Sequence, residues 1–306
     1  MKVLVTGGAG FIGSHLVQAL HQRGDAVRVL DNLSSGKRQN LDGLPVELLV
    51  GDVRDWKTVV TAVTGCDLVF HQAALVSVPR SIAEPQLNHD VNVTGAFHVF
   101  EAARQAGIQR VVYASSAAVY GDTLALPARE SDPPNPITPY AAAKLTNELM
   151  AAVYNRSYGT EFVGLRYFNV FGPRQDPSSP YSGVLSLFCR AALAGTGVTV
   201  YGDGRQTRDF VYVSDVVAAN LAAAAWAMNE TPPVFNVGRG EQTDLLQILQ
   251  MLRQQSGVAL PVQFAEARAG DIRHSCAEVT AVQTHLAFVP EVPLSTGLQK
   301  TLSWFA

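Results

Sequence analysis

The sequence predicts an α/β fold, a doubly wound parallel sheet joined to a smaller α/β domain, and three observations carry that prediction. Short apolar runs of strand length alternate with amphipathic stretches of helical length along the first 170 residues. The first apolar run leads directly into a glycine-rich turn and then a helix, the unit from which parallel sheets with right-handed crossovers are built. Beyond Asn169 the character changes to a Pro/Gly/Ser-rich stretch, Gly172 to Gly183, followed by shorter elements.

Lys2-Val3-Leu4-Val5 is the first strand, Thr6 through Gly13 a tight turn, and Phe11 to Gln22 a helix with Ile12, Leu16, Ala19 and Leu20 inward. Gly7, Gly10 and Gly13 allow a sharp turn, close approach of a pyrophosphate and close helix packing. The amides opening the helix favour the phosphate charge, so the turn is read as a dinucleotide site. The second strand, Ala26 to Leu30, ends in Asp31. A carboxylate at that separation suits the adenosine ribose hydroxyls and repels a 2′-phosphate, which favours NAD, although Lys37 and Arg38 could serve a phosphate. The third strand, Glu47 to Gly51, ends in Asp52, by position near the adenine edge.

Further strands are expected at Asp67–Phe70, Arg110–Ala114 and Thr160–Leu165, with amphipathic stretches near 54–64, 88–106 and 140–158. A helix from Ser214 to Met228 and a strand at Val234-Phe235-Asn236 are able to return to the main sheet. The expected organisation is residues 1–170, completed by about 211–237, as an NAD-binding domain, and 171–306 as the substrate-binding domain. Ligands in such sheets lie at the strand C-terminal ends, where Ser116, Tyr140 and Asn169 fall.

Tyr140-Ala-Ala-Ala-Lys144 places a phenol and an ammonium on one helix face, about one turn apart. A nearby positive charge favours phenolate, and a serine hydroxyl such as that of Ser116 could share the substrate oxygen. The expected chemistry is removal of an alcohol proton while hydride leaves the same carbon.

Composition is that of a globular enzyme: 306 residues, 23 Lys and Arg against 26 Asp and Glu, and a net charge of −3. That balance gives no reason to expect a nucleic-acid partner. No stretch reads as a signal peptide or membrane span, so a membrane partner is not expected either. The three cysteines, Cys66, Cys189 and Cys276, have no metal spacing and suit a reducing cytoplasm, and the seven histidines show no ligand pairing. His71 is read as a packed residue.

These residues together resemble the extended short-chain dehydrogenases/reductases, and among them the nucleotide-sugar epimerases, especially UDP-hexose 4-epimerases. The resemblance runs from Met1 to about Phe305. Its motifs are Thr6-Gly7-Gly8-Ala9-Gly10-Phe11-Ile12-Gly13-Ser14-His15, Leu30-Asp31-Asn32-Leu33, Gly51-Asp52-Val53-Arg54, Ser115 to Gly121, Tyr140 to Lys144, Leu165 to Asn169 and Arg208 to Val213. It implies a Rossmann-type fold and Tyr140 as the base. Lys144 is implied as modulator of its pKa and contact to the nicotinamide ribose, and Ser116 as the completing hydroxyl. Gly7, Gly10, Phe11, Ile12, Gly13, Asp31, Asn32, Asp52, Val53 and Asn92 match NAD-contacting positions. Asn169, Arg208 and Arg268 match positions that hold the nucleotide diphosphate, and Tyr201 the aromatic near the base.

The implied reaction is NAD-dependent 4-epimerisation of a UDP-sugar through a transient 4-keto sugar. A 4,6-dehydratase of this superfamily carries an acidic pair after the active-site hydroxyl, where this chain has Ala117 and Ala118. Decarboxylating relatives need groups for a hexuronate carboxylate, for which Arg80 or Arg174 could serve, and a UDP-glucuronate 4-epimerase and a nucleotide-sugar reductase with the same Ser-Tyr-Lys set stay open. A non-enzymatic dinucleotide binder would lack the tyrosine or the lysine. Ser275 falls where epimerases limit the room beside the sugar C2 substituent, and a serine leaves space for an N-acetyl group. By analogy two helices pair to form a homodimer, using alanine-rich faces near 94–106 and 141–154.

Overall fold

The computed structural model describes residues 1–123, 125–176, 183–228, 233–266 and 272–306. In chain order the first half contains β1 (Lys2–Thr6), α1 (Phe11–Gln22), β2 (Ala26–Asp31), β3 (Glu47–Val50), α2 (Trp56–Val63), β4 (Leu68–His71), α3 (Val78–Ala83), α4 (Pro85–His89), α5 (Gly95–Gln105), β5 (Arg110–Ser116), α6 (Pro139–Tyr158) and β6 (Glu161–Tyr167). A π-helical turn, Asp90–Thr94, joins α4 to α5, and a 3₁₀ turn, Ala117–Tyr120, follows β5. The second half contains β7 (Asn169–Phe171), α7 (Val184–Ala194), β8 (Val198–Tyr201), β9 (Thr207–Arg208), β10 (Phe210–Tyr212), α8 (Val213–Ala225), β11 (Val234–Val237), β12 (Thr243–Asp244), α9 (Leu245–Ser256), β13 (Val262–Ala265), α10 (Thr280–Leu286) and α11 (Leu294–Phe305).

Among the described residues the main sheet has seven strands in the order β11-β6-β5-β4-β1-β2-β3, all parallel. Strand order reverses at β1, and the chain winds outward in both directions from there, the doubly wound arrangement. Alternation of side chains across β1 sets the two layers. Val3 and Val5 face a core with Leu16, Val17 and Leu20 of α1, Val216 and Ala219 of α8 and Val282 of α10. Leu4 faces the other way, onto Val59 and Val63 of α2, Val99 and Phe100 of α5 and Tyr154 of α6. Phe100 anchors that second layer, its ring 4.6 Å from Phe162 and 5.2 Å from Tyr113.

A third core stands apart from the sheet. Phe171, Leu185, Phe188, Val200, Phe210, Leu249, Leu252 and Leu298 pack together there, drawing on α7, α9, α11 and short two-stranded ribbons. The ribbons pair β7 with β10, β8 with β13 and β9 with β12. They were not foreseen in the sequence, because strands of two to four residues leave no readable alternation.

Candidate active site

All strands of the main sheet point the same way, so their C-terminal ends form one edge, and the expected site residues collect along it. β1 runs into the glycine turn. Gly7 has φ +70°, and a Cβ there would stand 2.7 Å from the Ala73 nitrogen after β4. Gly13 is tighter still: a Cβ would lie 2.2 Å from the Gly7 carbonyl oxygen. Only glycine lets the helix start this close to the strand end. Phe11 and Ile12 open α1, whose N-cap, Gly10, supplies no side-chain hydrogen bond.

Asp31 closes β2 and is buried, its Oδ2 accepting from the Ala9 amide at 2.9 Å and its Oδ1 from the Leu33 amide at 2.8 Å. The carboxylate therefore holds the glycine turn in place as well as offering its remaining lone pairs outward. Asp52, beyond β3, accepts from Arg54 and, at 2.7 Å, from Asn32 Nδ2. The Arg54 guanidinium holds its carboxyl down at about 2. Val53 next to it is buried.

Asn92 lies in the π-helical turn and is 2% exposed. Its Oδ1 accepts from the Leu75 amide at 2.8 Å, and its Nδ2 donates to Leu75 O at 3.0 Å and Asn88 Oδ1 at 2.8 Å. Both amide hydrogens are thus engaged, one on the loop after β4 and one on α4.

Helix α6 starts where Thr138 caps the Ala141 amide and Pro139 takes the first helical position, and it ends at Gly159, φ +70°. The Ser81 hydroxyl accepts from the Tyr140 amide at 3.2 Å, seating the first turn. Tyr140 and Lys144 are both buried, at 9% and 3% exposure, with the Lys144 ammonium 5.8 Å from the centre of the Tyr140 ring. Lys144 Nζ donates to the Ala114 carbonyl at 2.8 Å, two residues before Ser116, whose hydroxyl lies near enough to the Tyr140 phenol to lower its pKa. The three residues read as a unit from the sequence are a unit in space.

The electrostatics differ from the sequence expectation in one respect. Burial pushes the Tyr140 phenol above its ordinary value, and the Ser116 hydroxyl offsets part of that rise. Burial also lowers the Lys144 ammonium to about 8, with Glu148 pulling the other way. The lysine is turned to a backbone carbonyl, and desolvation of the phenol outweighs its charge.

The remaining expected residues lie on the ribbons. The Asn169 amide donates to Asp209 O at 2.9 Å, beside Arg208, and the Ser275 amide donates to Thr207 O at 3.2 Å on the other side of it. Arg208 Nη1 donates to Thr207 O at 2.9 Å. Tyr201 ends β8, and its carbonyl accepts from Gln206 Nε2 at 2.7 Å. Ser275, Arg208 and Tyr201 are all half-buried. Arg268 lies outside the described residues. The segment carrying Ser275 is tied to the loop after β5, where the Ala128 amide donates to Cys276 O at 2.9 Å and the Glu278 amide to Ala128 O at 2.8 Å.

Residues 3–238 match the NAD dependent epimerase/dehydratase family. The chain belongs to that family. Three solved structures are similar over nearly the whole length. The UDP-glucose 4-epimerase of Thermus thermophilus, in complex with NAD, is 40% identical with a TM-score of 0.92, covering 100% of this chain and 99% of the other. The UDP-glucose 4-epimerase of Thermotoga maritima, with UDP-glucose, is 38% identical with a TM-score of 0.95, covering 100% and 98%. The UDP-N-acetylglucosamine 4-epimerase of Methanobrevibacter ruminantium, in complex with UDP-N-acetylmuramic acid, is 38% identical with a TM-score of 0.95, covering 99% and 97%. The chain is an isomerase of the UDP-glucose 4-epimerase type, and NAD is its cofactor.

The residues of this epimerase fit that cofactor. At Gly10 a Cβ would meet only the Gly7 carbonyl, at 3.1 Å, so the turn presents bare backbone on its outer side. The first amides of α1 have no capping side chain, which suits an anion. Among the described residues no group of His, Cys, Asp or Glu could hold a metal ion, and no helix is long and apolar enough to cross a membrane. Cys66, Cys189 and Cys276 are buried thiols, and His71, bonded to Thr6 Oγ1 at 2.8 Å, is held neutral by burial, at about 3.

Sequence reasoning missed Ser115, Glu148 and Arg166, which form a buried cluster between α6 and the main sheet. Glu148 stands four residues beyond Lys144 and Ser115 beside Ser116, so the helical period could have flagged the first. The pairing with Arg166 depends on strand register and is not readable from the sequence.

Proposed function

We propose that this enzyme interconverts the 4-epimers of UDP-hexoses, UDP-glucose and UDP-galactose, and also of UDP-GlcNAc and UDP-GalNAc. The observation that carries this reading is the buried Tyr140 phenol, with the Ser116 hydroxyl beside it and Lys144 one turn away, on the sheet edge that also bears the glycine turn. Residues 1–170, completed by 211–237, bind NAD, and 171–306 bind the nucleotide sugar. Gly7, Gly10, Phe11, Ile12 and Gly13 hold the pyrophosphate, Asp31 and Asn32 the adenosine ribose, and Asp52 and Val53 lie at the adenine. Lys144 meets the nicotinamide ribose, and Asn92 is a further NAD-contacting position. Asn169, Arg208 and Arg268 hold the UDP diphosphate, whose charges suit guanidinium partners, and Tyr201 stands beside the base.

NAD, when bound, supplies a reversible hydride acceptor and a cationic ring. Tyr140, in its phenolate form, takes the O4 proton as the C4–H bond gives up its electron pair, and Ser116 holds the oxygen while it becomes a ketone. The nucleotide stays anchored while the loosely held sugar turns over. Hydride and proton then return, the hydride to the opposite face of C4, and the redox balance of the cycle is zero. Ser275, small and half-buried, leaves room for a C2 N-acetyl group.

Of the guanidiniums considered for a uronate carboxylate, Arg80 pairs with Glu84 at 2.7 Å, and Arg174 donates from Nη2 to Gln18 at 2.7 Å while its buried Nη1 has no partner among the described residues. Leu149 and Val153 on α6 and Phe97 on α5 are 62%, 55% and 43% exposed, an apolar stripe that suits a homodimer interface. Purified protein incubated with UDP-galactose and UDP-GalNAc in competition, without added cofactor, tests the reading. Formation of both 4-epimers is expected. Failure of both, unrescued by added NAD, overturns it in favour of a reductase or a uronate enzyme.

A further inference from the structure

The Ser115–Glu148–Arg166 cluster joins α6 to strands β5 and β6. Glu148 is on α6, one turn beyond Lys144 and two beyond Tyr140, so all three project from one face. Arg166 on β6 grips it through two bonds, Nε to Oε1 at 2.9 Å and Nη2 to Oε2 at 2.7 Å, and the Ser115 hydroxyl donates to Oε1 as well. Ser115 and Arg166 are direct partners in the β5–β6 register, next to the Ser116–Tyr167 pair. Glu148 is 6% and Arg166 5% exposed. The far side of Arg166 continues the chain: Nη1 donates to the Tyr120 hydroxyl at 2.8 Å, which donates to Asn236 Oδ1 at 2.6 Å.

A buried ion pair is poor value as a stabiliser, since well-packed apolar residues of similar volume often serve as well or better. Its position suggests another use. We propose that Glu148, clamped by Arg166 and Ser115, is a positioning residue of the reaction, keeping a fixed negative charge one helical turn behind Lys144 so that the lysine stays an ammonium next to Tyr140. Arg166 reaches the carboxylate from β6 and offsets part of its charge.

The groups facing this point are Tyr140 and Glu148 from α6, His71 from β4, Ser116 and Tyr113 from β5, and Arg166 from β6. His71 is neutral, and its pKa is lowered in part by the Lys144 charge. Tyr113 is neutral, raised by burial and then by Glu148. Glu148, paired with Arg166 at 2.7 Å, is the carboxylate of the set. It opposes the desolvation that brings Lys144 down to about 8. The sign follows: without the carboxylate the lysine loses its proton at lower pH, and the phenol loses a positive neighbour there.

The inference rests on the epimerase reading for its catalytic part, and two measurements separate the two. The first needs no substrate: the ¹³Cε titration midpoint of Lys144 in ¹³C-lysine-labelled protein, assigned through Lys144→Met. The second is the pH profile of kcat for UDP-galactose. Glu148→Gln is expected to lower both the midpoint and the alkaline limb of kcat by about one pH unit, with KM unchanged. Val282→Ala, on the opposite face of the sheet, is a stability control expected to lower Tm and leave both where they are. A Glu148→Gln protein that melts earlier but keeps the wild-type midpoint, or whose midpoint falls while the kcat limb does not, overturns the proposal. Should Glu148→Gln fail to fold, the double variant Glu148→Leu/Arg166→Met removes both charges, and an unshifted midpoint there overturns it equally. A wild-type protein inactive on UDP-galactose would refute the substrate reading and leave the Lys144 titration to decide.

Discussion

Replacing Gly13 with alanine tests whether the first turn of α1 is built around a backbone contact. The added Cβ would stand 2.2 Å from the Gly7 carbonyl oxygen, where ordinary contact begins near 3.4 Å, so the two segments must part by roughly 1 Å. Both are backbone, and the Gly7 carbonyl already accepts from the Gly10 amide at 3.0 Å, so no rotamer change relieves the clash. Overpacking of this kind costs about 1–3 kcal/mol, and a backbone clash belongs in the upper half of that range. At about 2.1 cal/mol/K per residue, 306 residues have an unfolding entropy of roughly 0.6 kcal/mol/K, which converts the clash to a fall in Tm of about 3–5 °C. Shifting the turn also misaligns the amides at the start of α1. Loss of one charge-assisted bond, about 1.5–3 kcal/mol, weakens NAD roughly 10–100-fold. Differential scanning calorimetry of the apo protein and calorimetric titration with NAD measure the two effects separately. Gly10→Ala is the companion variant: its Cβ meets the same oxygen only at 3.1 Å, so Tm should move by about 1 °C or less while NAD binding still weakens. A Gly13→Ala protein with wild-type Tm and an unchanged Kd for NAD would refute the reasoning.

Three further outcomes are expected. Tyr140→Phe should lower turnover by about 10²–10⁴-fold while NAD titration stays unchanged, and a variant turning over within tenfold of wild type would remove the phenol from its role as base. Ser275→Tyr should lose UDP-GalNAc while retaining UDP-galactose, checked by product analysis of each sugar; equal loss of both would sink the idea that position 275 gates the C2 substituent. Leu149→Asp with Val153→Asp, on the exposed stripe of α6, should convert a dimer to a monomer by light scattering at unchanged helix content, and an unaltered mass would place any interface elsewhere.

The parts of the architecture that the sequence revealed are those governed by local periodicity. The strand at Lys2–Val5, the turn and the helix from Phe11 to Gln22 appear where the pattern put them, and α6 spans Pro139–Tyr158 as the stretch near 140–158 suggested. Tyr140 and Lys144 were readable because a four-residue spacing needs only one helix, and Ser116 because a strand end in a parallel sheet has one address. What depended on third parties was not readable. Asp31 and Asn92 look like groups waiting for a ligand until their bonds to Ala9, Leu33 and Leu75 are seen. The phenol of Tyr140 was expected to be pulled down by its lysine, but the depth of burial, a property of the whole fold, decides the sign. Arg208 and Ser275 are brought together by ribbons too short to leave a signature.

The edge strand β11 sets an order of assembly. It pairs with β6, yet the chain between Tyr167 and Val234 must first travel through the third core and α8 before it can return. Closing an excursion of that length costs roughly 4 kcal/mol in chain entropy, whereas the strands from β1 to β6 join through shorter connections. On a growing polypeptide the six earlier strands are therefore available to one another well before the seventh exists. Asn236 on β11 is also the residue that receives the Tyr120 hydroxyl and donates to the Ala128 carbonyl, beside the turn that follows Ser116. The last strand of the main sheet to arrive thus helps fasten the loop beyond Ser116, so that loop is fixed only when the second half of the chain has folded.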